Sequence, residues 1–384
     1  MATNPLYAGK FENFQKTLDR QEADYVPTLM NDGGGSMLWT GKTVFDVLHD
    51  PQLFAEAVTK VLDEMWVDVN VIAGATTTPA IGKAFPGAET QYAPDGTLTH
   101  LQSSPMKADE YDQLIADPAA FVANVMLPRK HPYLYENRDS AKDALKIYAE
   151  QSVYGMLNVG GVTQKLLEEK YGVYSFVSPV IVNTPLDHIF DFFRGFRGTL
   201  TDLRRQPDKV KAAMDAIWEY RWAEKIKTPM ELNGKSTFQP CHIPAYLSPK
   251  QFDELYWPYE KQLIEWIAAS GGRAMIYLEG RWEKFLHYFL ELPKDCCILA
   301  VDDDDFLKVH DAIGHHQILC GGLKSADVRL KKFEDIKDDV KRVIDICAPG
   351  GGFIFSTDKL WLAPGDVNPT LIEAYNFAHE YSSK

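Results

Sequence analysis

His242, Glu279, Asp302 and Cys320 follow one another at the ends of successive short apolar runs in the last third of the chain. The runs cover residues 236–242, 273–279, 296–301 and 316–320, and a fifth covers 351–356. These residue types can bind metal, hold substrate or pass a proton. Glu279 could ligate a metal or, with its pKa raised by burial, act as an acid. The plainer alternative pairs it with Arg281 or Lys284. His242 could ligate zinc or protonate a substrate, or simply be a hydrogen-bonded rim histidine. Cys320 would complete a His242/Glu279/Cys320 ligand set, although a buried apolar cysteine is the commoner outcome. Asp302 opens the acidic run 302–305. Part of that run is solvated and part caps a helix beginning near Phe306, which leaves Asp302 as the member facing a pocket. His310 falls on a helix, and His315 and His316 fall at the start of a run, so none of the three joins the set.

Such residues act together only if their runs lie side by side. Helical patterns fill the gaps between the runs, and parallel strands need crossovers of that length. Repeated strand–helix units predict a parallel sheet, with chemistry at the strand C-termini when the sheet closes into a barrel. Upstream, the runs 25–30 and 68–74 frame a helix that opens at Asp50-Pro51 and extends through Met65, and the run 177–183 resumes the alternation. Eight strands result, and the expected fold is a (β/α)8 TIM barrel spanning residues 1–384 as a single domain. Residues 75–176 break the pattern. Ala93-Pro94-Asp95-Gly96 reads as a hairpin turn, and 105–127 and 140–157 read as helices. This stretch is expected to be a cap insertion after strand two. Asn31, Asp32 and Asn183 end strands one and three and offer polar groups to a substrate. Trp39, Tyr246 and Trp282 follow strands one, four and five, and could box an aromatic or quaternary-ammonium group, although ordinary packing is the commoner outcome for any one of them.

Composition narrows the partners. The 384 residues are 45% hydrophobic and 24% charged, which is ordinary globular usage. The formal charge of −14 argues against nucleic acid and anionic membranes, which both select basic patches. No run of about 18 apolar residues predicts a membrane span. Residues 1–10 lack the apolar core of a signal peptide. Five cysteines in a chain of this length predict a reduced, cytoplasmic protein, with the adjacent Cys296 and Cys297 as packing residues.

Three stretches carry a resemblance. Ala245-Tyr-Leu-Ser-Pro-Lys-Gln-Phe-Asp-Glu-Leu-Tyr-Trp-Pro258, Ile276-Tyr-Leu-Glu-Gly280 and Cys347-Ala-Pro-Gly-Gly-Gly-Phe-Ile-Phe355 resemble the uroporphyrinogen decarboxylase superfamily. That superfamily also holds methyltransferases that move methyl groups onto or off corrinoid proteins. The likeness runs from about residue 11 to the C-terminus, is strongest after Gln239 and is faint over 75–176. It implies a (β/α)8 barrel. The decarboxylases carry an Arg-Gln-Ala-Gly-Arg motif after strand one, an Asp ending strand two and a His after strand eight. Here those stretches read Asn31-Asp-Gly-Gly-Gly35, Ile72-Ala-Gly-Ala75 and Ser356-Thr-Asp-Lys359, without the arginines that grip a polyanion. The thiol-methylating branch binds zinc through His-x-Cys at strand five and a Cys after Ala-Pro-Gly at strand eight. Here those positions read Tyr277-Leu278-Glu279 and Gly351. The resemblance therefore implies a third group, which takes a methyl from a methyl ether or methylated amine and gives it to the cobalt of a partner corrinoid protein, with zinc or a general acid assisting. Two rivals stand beside it. A decarboxylase or other lyase would need a cationic anchor, for which Arg281, Lys324 and Lys359 are available. A non-catalytic barrel would only carry a tetrapyrrole or another small ligand.

Overall fold

The computed structural model describes residues 4–47, 50, 52–71, 90–100 and 104–383. The end of the second expected strand (72–74), Pro51, residues 75–89 of the expected insertion and the Ile72-Ala-Gly-Ala75 stretch lie outside them.

Parallel pairing runs from segment to segment along the chain. Strands β1 (Leu29–Met30), β2 (Val69–Asn70) and β5 (Tyr174–Ser175) form one sheet. The other sheet holds β6 (Val177–Ile181), β7 (Ser236–Cys241), β8 (Ala274–Leu278), β9 (Cys297–Val301), β10 (Ile318–Leu323) and β11 (Phe353–Thr357). Only Phe176 separates β5 from β6, and its carbonyl accepts from Ser236 N at 2.7 Å. On the far side Thr28 bridges Phe355, and Phe355 N donates to Pro27 O at 2.9 Å. Eight parallel segments thus follow one another round a TIM-barrel-like α/β fold. β8, β9 and β11 are buried at every position, because helices cover one face and side chains fill the other.

Leu29, Val69, Phe176, Met275, Ile298, Ile318 and Ile354 meet inside the ring. Phe14 and Leu18 of the helix Pro5–Leu18 join them. Outside the strands, helices bury apolar stripes at helical spacing, as with Val210, Met214 and Ile217 of Pro207–Arg221. Among the described residues no helix is long and apolar enough to cross a membrane.

Two differences from the sequence reading have physical causes. The seventh run does not stop at Cys320: β10 continues through Gly321 and Gly322, paired from Leu319↔Phe353 to Leu323↔Thr357. Glycine keeps the ladder groups and removes only the side chain. A Cβ on Gly321 would come within 3.0 Å of the Phe306 ring, so that ring packs directly on the strand. The second difference lies between β2 and β5. β3 (Thr90–Tyr92) and β4 (Leu98–His100) form the expected hairpin. The helix Val162–Leu166, continued by Leu167–Tyr171, leads directly into β5. Its buried Thr163 and Leu167 make it a crossover of the barrel itself. Widened turns at Tyr154–Gly161 and Leu167–Tyr171 blur its 3.6-residue period.

One buried carboxyl lies between the sheet and its outer helices. Glu260, on Trp257–Ala269, is 1% exposed, and Gln239 Nε2 of β7 donates to it at 3.4 Å. Burial first and the nearby Asp187 charge second push its pKa up to about 8. The folded protein therefore holds a proton that the unfolded chain releases in the ordinary carboxyl range. The associated stability is fully present at low pH and is lost as pH rises through about 8. Glu260→Gln is expected to melt near the wild-type temperature at pH 4 and several degrees higher than wild type at pH 9. Thermal unfolding at the two pH values checks this, and equal melting at both would show that Glu260 is not held protonated.

Candidate active site

The site begins at the exit of strand three. Thr184 caps the helix Pro185–His188, accepting from Asp187 N at 3.1 Å, with Pro185 in the first turn. The helix continues as Ile189–Arg194. Asp187 is buried, and its carboxyl gathers four donors. Oδ1 accepts from His242 N and Ile243 N, each at 3.2 Å. Oδ2 accepts from Tyr256 Oη at 2.7 Å and Thr184 Oγ1 at 3.0 Å. Burial first and the Asp191 charge second push its pKa up to about 6, against the pull of these donors.

The same helical segment presents Asp191 to the His242 ring. Asp191 Oδ1 lies 2.8 Å from His242 Nδ1, and Glu279 Oε1 lies 3.1 Å from Nε2. The imidazole, the first residue past β7, is thus held between a carboxyl from the helix after β6 and one from the residue after β8. Burial opposes charge on the ring, but the hydrogen bonds and fields of Asp191 and Glu279 outweigh it and raise the pKa to about 11. His242 is therefore an imidazolium across the physiological range. Glu279 is the outermost member, its side chain 45% exposed.

The turn beyond Glu279 is fixed by its neighbours. Gly280 N donates to Asp302 Oδ2 at 2.9 Å, Trp282 Nε1 to Glu279 O at 3.2 Å and Trp282 N to Asp304 Oδ2 at 2.6 Å. Gly280 has φ +76°, and a Cβ there would meet Ala245 Cβ at 2.7 Å, so glycine is required on both counts. Asp302, first past β9, also pairs with Lys359. Burial raises its pKa, opposed by the Gly280 N–H and by Lys359.

The remaining candidates divide by location. Asn31 is buried inside the ring, where it accepts from Tyr277 Oη and donates to Ser356 Oγ at 3.0 Å. Its side-chain hydrogen bonds are spent on strands five and eight. Asp32 is also buried; its Oδ1 accepts from Gly34 N at 2.9 Å and Ser36 N at 3.2 Å, fixing the turn into Gly35–Trp39. Asn183 is half-buried, just before the Thr184 cap. Trp39 is partly buried against the outer core. Tyr246 is 55% exposed, its ring edge-on to Phe196 at 4.8 Å. Trp282 takes the packing alternative and is fully buried, with Phe285 6.2 Å and Phe289 5.9 Å away. Its indole N–H satisfies the Glu279 carbonyl, so the ring is committed to the core.

The His242/Glu279/Cys320 ligand set does not assemble. Cys320 lies mid-strand, packed inside the ring. Burial pushes its thiol pKa up, with the Ser356 hydroxyl opposing. Both nitrogens of His242 face carboxyls. Among the described residues no three His, Cys, Asp or Glu side chains are grouped as a metal ion requires. The residues present do not fit zinc in the expected way.

Asp187, Asp191 and Tyr256 are the members that sequence reasoning missed. The Thr184-Pro185 helix start was a usable signal, because it puts Asp187 and Asp191 four residues apart at the exit of strand three. Tyr256 lies within the quoted stretch ending at Pro258.

Residues 185–358 match the family model described as uroporphyrinogen decarboxylase (URO-D). That span holds Asp187, Asp191, His242, Glu279 and Asp302, and leaves Asn31, Asp32 and Trp39 outside. A search of the curated proteins finds no significant match. Among solved structures, a methyltransferase from Methanosarcina mazei aligns over 96% of this chain and 97% of that chain, with a TM-score of 0.58 at 13% identity. At that identity the likeness shows the fold. From residue 185 to 358 the chain carries the sequence pattern of the uroporphyrinogen decarboxylase superfamily, on a fold it shares with a methyltransferase.

Proposed function

We propose that the protein transfers a methyl group from a small methylated donor, a methyl ether or a methylated amine, to the cobalt of a corrinoid protein. The observation that carries this reading is the Asp191–His242–Glu279 chain at the strand exits. The cobalt of the partner supplies the electron pair that takes the methyl carbon. The carbon–heteroatom bond breaks, and the departing oxygen or nitrogen keeps its pair and needs a proton. His242 holds that proton on Nε2, against Glu279 Oε1. Passing it outward through the half-exposed Glu279 leaves a neutral ring, its orientation kept by Asp191. A pKa of about 11 suits a phenolate or amine leaving group, whose own basicity lies near 10.

The region between β2 and β5 supports a cap over the strand exits. Met106 N donates to Phe193 O at 3.0 Å, just past Asp191, and Gly96 of the hairpin lies against Thr43 and Leu38 in the chain after β1. The lyase reading loses one of its anchors, because Lys359 is paired with Asp302 and Asp303.

The direct test incubates the protein with reduced corrinoid protein and a panel of methyl ethers and methylamines. Methylcobalt absorbance should appear with at least one donor, and a flat spectrum across the panel would overturn the reading. Glu279→Gln and His242→Gln should each lower the rate by roughly 10²–10⁴-fold with the fold intact by circular dichroism. The pH profile discriminates further. His242 loses its proton as pH rises through about 11, so wild-type activity should show no alkaline limb below pH ~9. Asp191→Asn removes one of the two supports and should bring that limb down by about one to three pH units. An unchanged profile would exclude His242 as the proton source.

A further inference from the structure

The helical segment that turns Asp187 and Asp191 toward His242 presents His188 and Phe192 to a separate cavity. This cavity, of about 510 Å³, lies between Pro118–Lys130 and the C-terminal end of Pro207–Arg221. Met126, Phe193 and Ile217 contribute apolar walls. Its titratable lining is Lys130, His188, Arg221 and the Tyr220 phenol, with no carboxylate among them, in a chain whose net charge is −14. Two buried nitrogens there, His188 Nδ1 and Arg221 Nε, have no hydrogen-bond partner. No carboxylate of the described residues pairs with Arg221, whose guanidinium lies over the Trp222 ring at 5.3 Å. The His188 ring sits between Phe192 at 4.9 Å and Phe193 at 5.1 Å.

A half-buried guanidinium without a counter-ion is costly, and a protein rich in carboxylates had many ways to supply one. Native cores leave few such groups unsatisfied. The volume falls within the range of small-ligand sites, whose usual form is an apolar chamber with a few convergent polar groups. We propose that the cavity binds a singly charged organic anion, a carboxylate on an apolar body, with Arg221 holding the head and Lys130 and His188 beside it. Met126, Phe193 and Ile217 enclose the body. A bare inorganic anion would leave those apolar walls wet.

Isothermal titration of the full chain with decanoate, decanol and inorganic phosphate tests this. Decanoate should bind at one site per chain, with decanol and phosphate each at least ~10-fold weaker. Arg221→Met should weaken decanoate ~10-fold or more and leave decanol unchanged. Ala123→Glu, at the exposed rim of the cavity, sets an acid against the anion without touching the core and should weaken decanoate as well. The proposal falls if decanol matches decanoate, which marks a merely greasy cavity. It also falls if phosphate matches decanoate, if decanoate does not bind at millimolar concentration, or if Ala123→Glu or a folded Arg221→Met leaves decanoate affinity unaltered.

Discussion

The exit of strand four is held by a carboxyl that does not reach solvent. Asp187 joins the helix after strand three to the backbone of His242 and Ile243, and it takes Tyr256 and Thr184 as further donors. A buried carboxyl is tolerated only where donors surround it, so its burial and its four partners are one constraint. With the backbone pinned, Asp191 one turn further on meets the ring itself. The direction of the imidazole is thus settled by packing beneath the site, and Glu279 only completes it from the next strand.

This division explains what was legible in the sequence. His242, Glu279 and Asp302 each stand one residue beyond a strand, so counting apolar runs located all three. Strand order was legible too, since consecutive strand–helix units pair with their neighbours. The inward or outward direction of a side chain was not. Cys320 lies in the same kind of run as Glu279 yet faces the filled interior, mid-strand in a β10 that continues through Gly321 and Gly322. Asn31 follows a strand in the same way, and its amide is consumed by Tyr277 and Ser356 across the ring. Trp282 follows strand five and turns into the core. Which face a residue takes depends on partners far away in sequence, and periodicity carries no record of them.

The cations of the rim also have fixed duties. Lys359, after strand eight, joins Asp302 and Asp303 after strand six and so ties two exits across strand seven. His242 joins the exits of strands four and five in the same manner. Opposite sides of the opening are each closed by a charged contact, and neither leaves an unpaired cation facing the centre. That pattern differs from a site built to hold a polycarboxylate.

Gly280 sets the spacing of the two exits. Its missing methyl lets the chain leaving strand five pack against the Ala245 methyl at van der Waals range, so a short rigid contact rather than a flexible side chain sets the gap between the exits. The imidazole-to-carboxyl span inherits that stiffness. Any side chain at position 280 would drive the exits of strands four and five apart, and with them the His242 and Glu279 that follow those strands.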